Sequence, residues 1–211
     1  WTDVTGVMST DPRIAKNART IPELTFKEIS ELAFYGAKVL HPKSIRPILE
    51  QGKKLWIKNT FAPAEPGTLI VPDNGEITTG AIRAVTTFNG QSILTIEGRG
   101  MLGVPGIAAR AFGAVARTST SARMISQASS EQRICFVVSH QASQTVLAGL
   151  EEEFGLELAR KDIDSISASN ESAIVTVVGA GMRHTPGIAG KVFSALGDAG
   201  DFPCAVTAAA A

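Results

Sequence analysis

The 211-residue chain carries 20 basic and 20 acidic side chains, a formal net charge of +0, and 44% hydrophobic residues. That length buries a real core, as one or two domains or parts of three, while balanced charge with no long run of one sign argues against nucleic acid or an anionic membrane as partner. Cys135 and Cys204 lack any Cys-x-x-Cys spacing and no apolar stretch of about 18 residues occurs, so a soluble cytoplasmic protein without a structural disulfide is expected.

The chain opens at Trp1 without Met, inside what reads as a strand running into a turn, and closes on "AVTAAAA"; both ends are expected to be truncations. The first clear helix spans residues 25–35, with Thr25 and Glu28 as a Thr-x-x-Glu capping box, Ile29, Leu32 and Ala33 on one face, and Gly36 as its stop. "AKVLHP" predicts a short buried segment, followed by a helix that Pro42 opens and Gly52 closes, with Pro47 kinking or shortening it. "KKLWIKNTF" predicts a strand, so this part alternates helix and strand as an α/β domain does. The Pro- and Gly-rich stretch from Ala62 to Gly80 marks a boundary.

Strands are then predicted at 81–88 and 92–98, followed by a helix from Pro105 to Arg117 with Ile107, Ala108, Ala111, Phe112 and Val115 as its apolar stripe. "ARMISQAS" and "RICFVV" read as a strand pair. A helix at 143–154 follows, with Val146, Leu147, Leu150 and Phe154 on one side and Gly155 as its cap. "SAIVTVVGAGM" restarts the cycle.

Residues 100–115, "GMLGVPGIAARAFGAV", reappear with edits as residues 181–196, "GMRHTPGIAGKVFSAL", at a constant offset of 81 residues (100 to 181). An offset that long duplicates a small domain of strand, helix, strand, strand, helix, strand, most simply an antiparallel sheet with helices on one face. A glycine-rich turn entering a helix leaves backbone N–H groups open to a small carboxylate; the bland alternative, glycines that only let helix and sheet pack closely, is favoured on spacing alone. Gly98-Arg99-Gly100 lacks the spacing and later acid of a dinucleotide fold. His41, His140 and His184 are scattered, so no metal site is expected, and His140 is read as a solvated helix start. Ser126, Ser129 and Ser130 lack a nucleophile elbow, Glu151 to Glu153 are read as a wet helix face, and Lys38 is equally a phosphate ligand or a snorkelling lysine.

"WTDVTGVMSTDPR", "ELAFYGAKVLHPKSI" and "IKNTFAPAEPGTLI" resemble the closing third of the amino-acid kinase domain of the aspartate kinases, and the repeat resembles their tandem ACT regulatory domains. "GMLGVPGIAARAF", "MISQASSEQ" and "VVGAGMRHTPGIAGKVF" are most similar to the threonine-sensitive branch. The resemblance implies an α/β kinase portion at 1–72, a linker at 73–80, a ferredoxin-like (βαββαβ) ACT domain with an adjoining strand at 81–165 and a truncated second one at 166–211. It implies ATP-dependent phosphorylation of the side-chain carboxylate of L-aspartate, with ATP accompanied by Mg²⁺. Thr2, Asp3, Met8, Arg13, Lys38 and Val39 would lie on the nucleotide, Met8 standing where the family commonly has an aromatic residue. The family's phosphate loop and aspartate-binding residues match nothing here, so no catalytic residue is expected in this chain and it should be inactive alone. Threonine or lysine would bind between ACT domains of a homodimer at Met101, Gly103, Val104, Pro105, Ile107, Ala108, Ser126 and Gln127.

Residues 119–123 (Ser-Thr-Ser-Ala-Arg) and 201–204 depart from the family at equivalent repeat positions. Arg123 shares strand parity with Ile125 and Gln127, so either it reaches the ligand or dimer seam or the stretch is not the natural one, which is the favoured reading. Two other readings stand beside the main one: a stand-alone amino-acid-binding regulatory subunit, and the middle of a bifunctional kinase and homoserine dehydrogenase.

Overall fold

The structure, a computed structural model, describes residues 1–35, 42–72, 82–127, 132–201, 203, 205 and 206. The predicted stop at Gly36, the segment Ala37–His41 and the linker at 73–80 lie outside the described residues. Two compact units form, one from Trp1–Phe88 with Val175–Phe202 and one centred on Asn89–Ile174.

In the first unit, β1 (Glu23–Thr25) leads directly into α1 (Phe26–Phe34). The capping box is present: Glu28 N donates to Thr25 Oγ1 and Thr25 N donates to Glu28 Oε2, which satisfies two helix-end donors. After α2 (Pro42–Glu50), which contains Pro47, come β2 (Leu55–Ile57) and β3 (Thr68–Val71). The sheet order is β1-β3-β2, parallel between β1 and β3 and antiparallel between β2 and β3. Of the strand predicted over "KKLWIKNTF" only Leu55–Ile57 forms. Phe26, Ile29 and Leu32 recur at helical spacing on α1 and pack with Val7, Leu24, Ile45, Ile57 and Ile70 into one core, which also takes in Ala84 and Val178. The buried Thr68 hydroxyl crosses this core, donating to Ile21 O at 2.7 Å and accepting from Val7 N at 2.8 Å.

The predicted strands at 81–88 and 92–98 are one strand, β4 (Ala84–Glu97), whose residues up to Phe88 belong to the first unit and whose residues from Asn89 belong to the second. The expected break at Asn89-Gly90 is absorbed because Gly90 takes a φ of 71° without ending the strand. There follow α3 (Ile107–Arg117), β5 (Met124–Gln127), β6 (Arg133–Ser139), α4 (Ser143–Glu153), α5 (Gly155–Arg160) and β7 (Ser165–Ala168). Gly155 does not cap α4: Phe154 is the junction, the chain turns helical again at once, and the stop is Lys161 at a φ of 64°. The sheet order β5-β6-β4-β7 is antiparallel throughout, with the first strand between the third and the fourth. This is the βαββαβ ferredoxin-like arrangement. Leu94 and Ile96 of β4 and Ile134, Phe136 and Val138 of β6 alternate onto one face, where Ala111, Ala114 and Val115 of α3 and Val146 and Leu150 of α4 cover them.

The second copy supplies β8 (Ser172–Val178), which pairs with β4, and α6 (Ile188–Asp198). α6 repeats the stripe of α3, yet none of its residues is buried. Among the described residues no helix is long and apolar enough to cross a membrane.

Phe154 is fully buried and holds the Arg110 guanidinium 4.7 Å above its ring. Phe154→Ala is expected to cost about 3–5 kcal/mol, from lost burial, a cavity and the lost cation–π contact. Urea unfolding will measure it, with Val175→Ala at an exposed position changing stability by less than about 0.5 kcal/mol.

Candidate functional site

The approach to α3 is built from glycines with two distinct duties. Gly98 and Gly100 admit close backbone contact: a Cβ on Gly98 would stand 2.5 Å from Asp162 O, and one on Gly100 2.6 Å from Asp162 Cα. For these two the packing role is the physical one. Gly103 and Gly106, at φ of 69° and 89°, would meet no neighbour through a Cβ and are required by their left-handed backbone instead. Gly106 is the N-cap of α3 and supplies no side-chain cap, so the first-turn N–H groups lack the acceptor that Ser or Asp would bring there.

These turns border an open cavity of about 350 Å³ lined by Met101, Gly103, Val104, Pro105, Gly106, Ile107, Ala108, Gln127 and Ile134. Seven of the eight predicted effector residues line it. Ser126 does not, because strand alternation sends it to the face opposite Gln127. Gly106 and Ile134 were missed by sequence reasoning. Ile134 pairs with Gln127 across the β5–β6 ladder, a partnership that register alone discloses. The cavity thus offers the positive end of a helix, an apolar floor from Ile107 and Ile134, and one amide side chain that both donates and accepts.

α3 is fixed from its outer side by ion pairs. Arg110 Nε donates to Glu153 Oε1 at 2.8 Å and Nη2 to Glu153 O at 2.8 Å, and the same guanidinium pairs with Glu157, while Arg117 also pairs with Glu153. Glu153 is therefore an anchor rather than the wet face expected of the acidic triplet. Hydrogen bonds from Arg110, and for Glu153 also from Arg117, hold both carboxyls below the usual glutamate range and push Arg110 further up. His140, read as a solvated helix start, places Nδ1 2.8 Å from the buried Ser92 hydroxyl. Arg123 is half-buried, and its backbone N–H donates to Val137 O at 2.8 Å just ahead of β5.

Of the nucleotide candidates, Lys38 and Val39 lie outside the described residues. Thr2 Oγ1 donates to Asp3 Oδ1 at 3.1 Å, and the Thr2 backbone bridges Lys58 O and Thr60 N. Met8 sits opposite Thr20 in a β-bridge. Arg13, its side chain 87% exposed, is held at 2.7 Å by Asp11, and that hydrogen bond draws the Asp11 carboxyl down to about 2. A separate cleft of about 310 Å³ lies among Trp1, Trp56 and Lys58, and none of the described nucleotide candidates lines it. Among the described residues no three His, Cys, Asp or Glu side chains gather closely enough to hold a metal ion.

Residues 1–59 match the amino acid kinase family, and residues 94–154 and 175–201 match the ACT domain. The bifunctional aspartokinase/homoserine dehydrogenase of Haemophilus influenzae is 38% identical over 199 residues, covering 94% of this chain and 24% of the relative. The crystal structure of Clostridium acetobutylicum aspartate kinase superposes with a TM-score of 0.81 at 31% identity, over 94% of this chain and 45% of that one. E. coli aspartokinase III in complex with lysine and aspartate superposes with a TM-score of 0.65 at 29% identity, over 85% of this chain and 38% of that one. The chain spans about a quarter of the length of the curated relatives it matches along most of its own length.

Because Glu153 and Glu157 titrate lower in the folded chain than in the unfolded one, the stability they confer is fully present above about pH 4.3. It is expected to be lost as pH falls through their depressed folded values. Urea midpoints measured between about pH 6 and 3 should fall less steeply in Glu153→Gln, which starts from lower stability and has less to lose.

Proposed function

We propose, from the premise that this chain is a segment of the aspartate kinase family, that it supplies the closing part of a kinase domain and the ACT domains that regulate it. The whole enzyme would transfer the γ-phosphoryl group of MgATP to the side-chain carboxylate of L-aspartate. Phosphoryl transfer relies on positioning and on neutralising spreading negative charge. Arg13, aimed by its hold on Asp11, and Lys38 would share that task with the magnesium that accompanies ATP, while Thr2, Asp3, Met8 and Val39 would border the nucleotide. Domain limits at 72, 80 and 165 belong to the same proposal.

The observation that carries the regulatory half is the cavity at the start of α3. Its open helix N-terminus suits an α-carboxylate, Gln127 suits the ammonium or the polar end of the side chain, and its size suits one amino acid. Threonine or lysine is the proposed effector. Lysine is supported by the complex of the E. coli relative, threonine by the resemblance of the loops. Gln127 is exposed in the single chain, which favours completion of the site by a second subunit in a homodimer. The names of the relatives favour one further reading, that the segment belongs to a bifunctional aspartokinase/homoserine dehydrogenase.

Two measurements test the proposal. The 211 residues alone should yield no aspartyl hydroxamate above a blank, since the resemblance places the phosphate loop and aspartate site outside them, whereas the full reading frame should turn over. Calorimetry on the full enzyme should show Gln127→Ala weakening threonine or lysine binding by roughly 5- to 150-fold, the cost of a lost polar partner of about 1–3 kcal/mol. Unchanged affinity would remove Gln127 from the site.

A further inference from the structure

The 81-residue repeat sets Ala180 where the first copy has Arg99, each between two glycines at the start of a short 3-10 turn (Arg99–Met101 and Ala180–His184). At both positions the backbone N–H donates to a carboxylate from elsewhere in the chain. In the first copy the acceptor is Asp164 Oδ2, at 3.2 Å, from the segment leading into β7 of the same module. Its environment is wet, with Arg99 and Asp164 side chains 86% and 36% exposed. In the second copy the acceptor is Glu28 Oε1, at 2.9 Å and 152 residues away, on the first turn of α1.

Glu28 is only 3% exposed. Its other oxygen, Oε2, accepts from Thr25 N at 2.9 Å in the capping box, so the two oxygens serve two different backbones. Arg83 stands by: Nε lies 3.9 Å from Oε1, Nη2 donates to Glu23 O at 2.8 Å, and its backbone N–H donates to Val178 O at 2.8 Å. A buried carboxylate carries a desolvation cost that these donors must offset, and removing one of them leaves charge unpaired. Independently of these bonds, Val175–Phe202 of the second copy belongs to the same compact unit as Trp1–Phe88.

We propose that Glu28 is the positioning residue that fastens the second ACT copy to the kinase segment, and that feedback inhibition acts through this joint. The duplicated loop has diverged by exchange of its carboxylate: the first copy uses its own Asp164 and keeps its cavity for a ligand, and the second is docked by a kinase side chain. α1 leads in sequence to residues 36–41, which carry the nucleotide candidates Lys38 and Val39. Displacement of the Ala180 loop would thus bear on the helix that precedes them. This inference rests on the effector reading proposed above for its consequence, but not for the joint itself.

The test uses the complete enzyme and two variants that remove the bond from opposite sides. Glu28→Gln retains one oxygen for the capping box but puts an NH2 donor in place of the other, so the Ala180 N–H loses its acceptor. Ala180→Pro deletes the donor at the first position of a helical turn, where proline is tolerated. Hydrogen exchange at residues 179–182 should rise roughly tenfold or more in Glu28→Gln, as expected for loss of a charge-assisted hydrogen bond, with residues 98–101 unchanged. Turnover without effector and effector affinity should stay within about twofold of wild type, a change under about 0.4 kcal/mol. Inhibition at saturating effector should be largely lost in both variants, and the double variant should be no worse than either single one. Asp164→Asn, the equivalent change in the first copy, should leave 179–182 protected. Unchanged exchange at 179–182 overturns the joint, and full inhibition of Glu28→Gln overturns its regulatory role. A wild-type enzyme that binds neither threonine nor lysine counts against the effector reading, and the exchange measurement then still decides the joint.

Discussion

The approach of residues 162–164 to Gly98 and Gly100 is the constraint on which the regulatory module depends. Asp164 N donates to Glu97 O and Gly100 N to Asp162 O at 2.8 and 3.0 Å, and no side chain fits between the two backbones. This contact closes the ferredoxin-like sheet at the β4–β7 edge and fixes where the chain leaves β4. Once that exit is fixed, the left-handed turns at Gly103 and Gly106 can lift the chain into α3 without blocking its N-terminus. The Arg110–Glu153–Glu157 cluster and the Phe112–Phe136 edge contact, at 5.6 Å, then hold the helix so that its open end faces the cavity.

Duplication gave two such loops, and their surroundings separate them. In the first copy Ala111, Ala114 and Val115 of α3 are buried against a complete sheet, and β5 brings Gln127 to the loop. The equivalent stripe on α6 is unburied, while its loop is held by Glu28. On the proposed reading, one copy is left to bind a ligand and the other is held by the kinase segment. A regulatory pair needs this division, because a ligand alters activity only if its site prefers one of two states that the catalytic part also distinguishes.

Much of this was legible from local rules. The capping box at Thr25 and Glu28, the stripe of α3 and the β5–β6 pair follow from spacing, and seven of eight predicted effector residues meet at one cavity because they share a single loop and an adjoining strand. What was not legible depends on distant partners. Gly90 reads as a break, yet β4 runs through it from Ala84 to Glu97, with β6 pairing its residues from Gln91 onward, and Glu153 reads as solvated until α3 brings Arg110 to it. Ile134 enters the cavity only through register, and the short polar β7 has no signal beyond alternation. Glu28 was visible as a cap, but its second oxygen bonds a residue 152 positions away, which no local pattern encodes.

The open N-terminus of α3 in the first copy, and not its repeat at α6, is the proposed seat of the effector. A crystal structure of the complete enzyme grown with threonine, and a second with lysine, tests this most directly. The carboxylate of one of them is expected within hydrogen-bond distance of the N–H groups at the start of α3, with Gln127 on its polar groups. An amino acid seated instead at Gly187–Ile188, or clear electron density for both effectors away from α3, would contradict it.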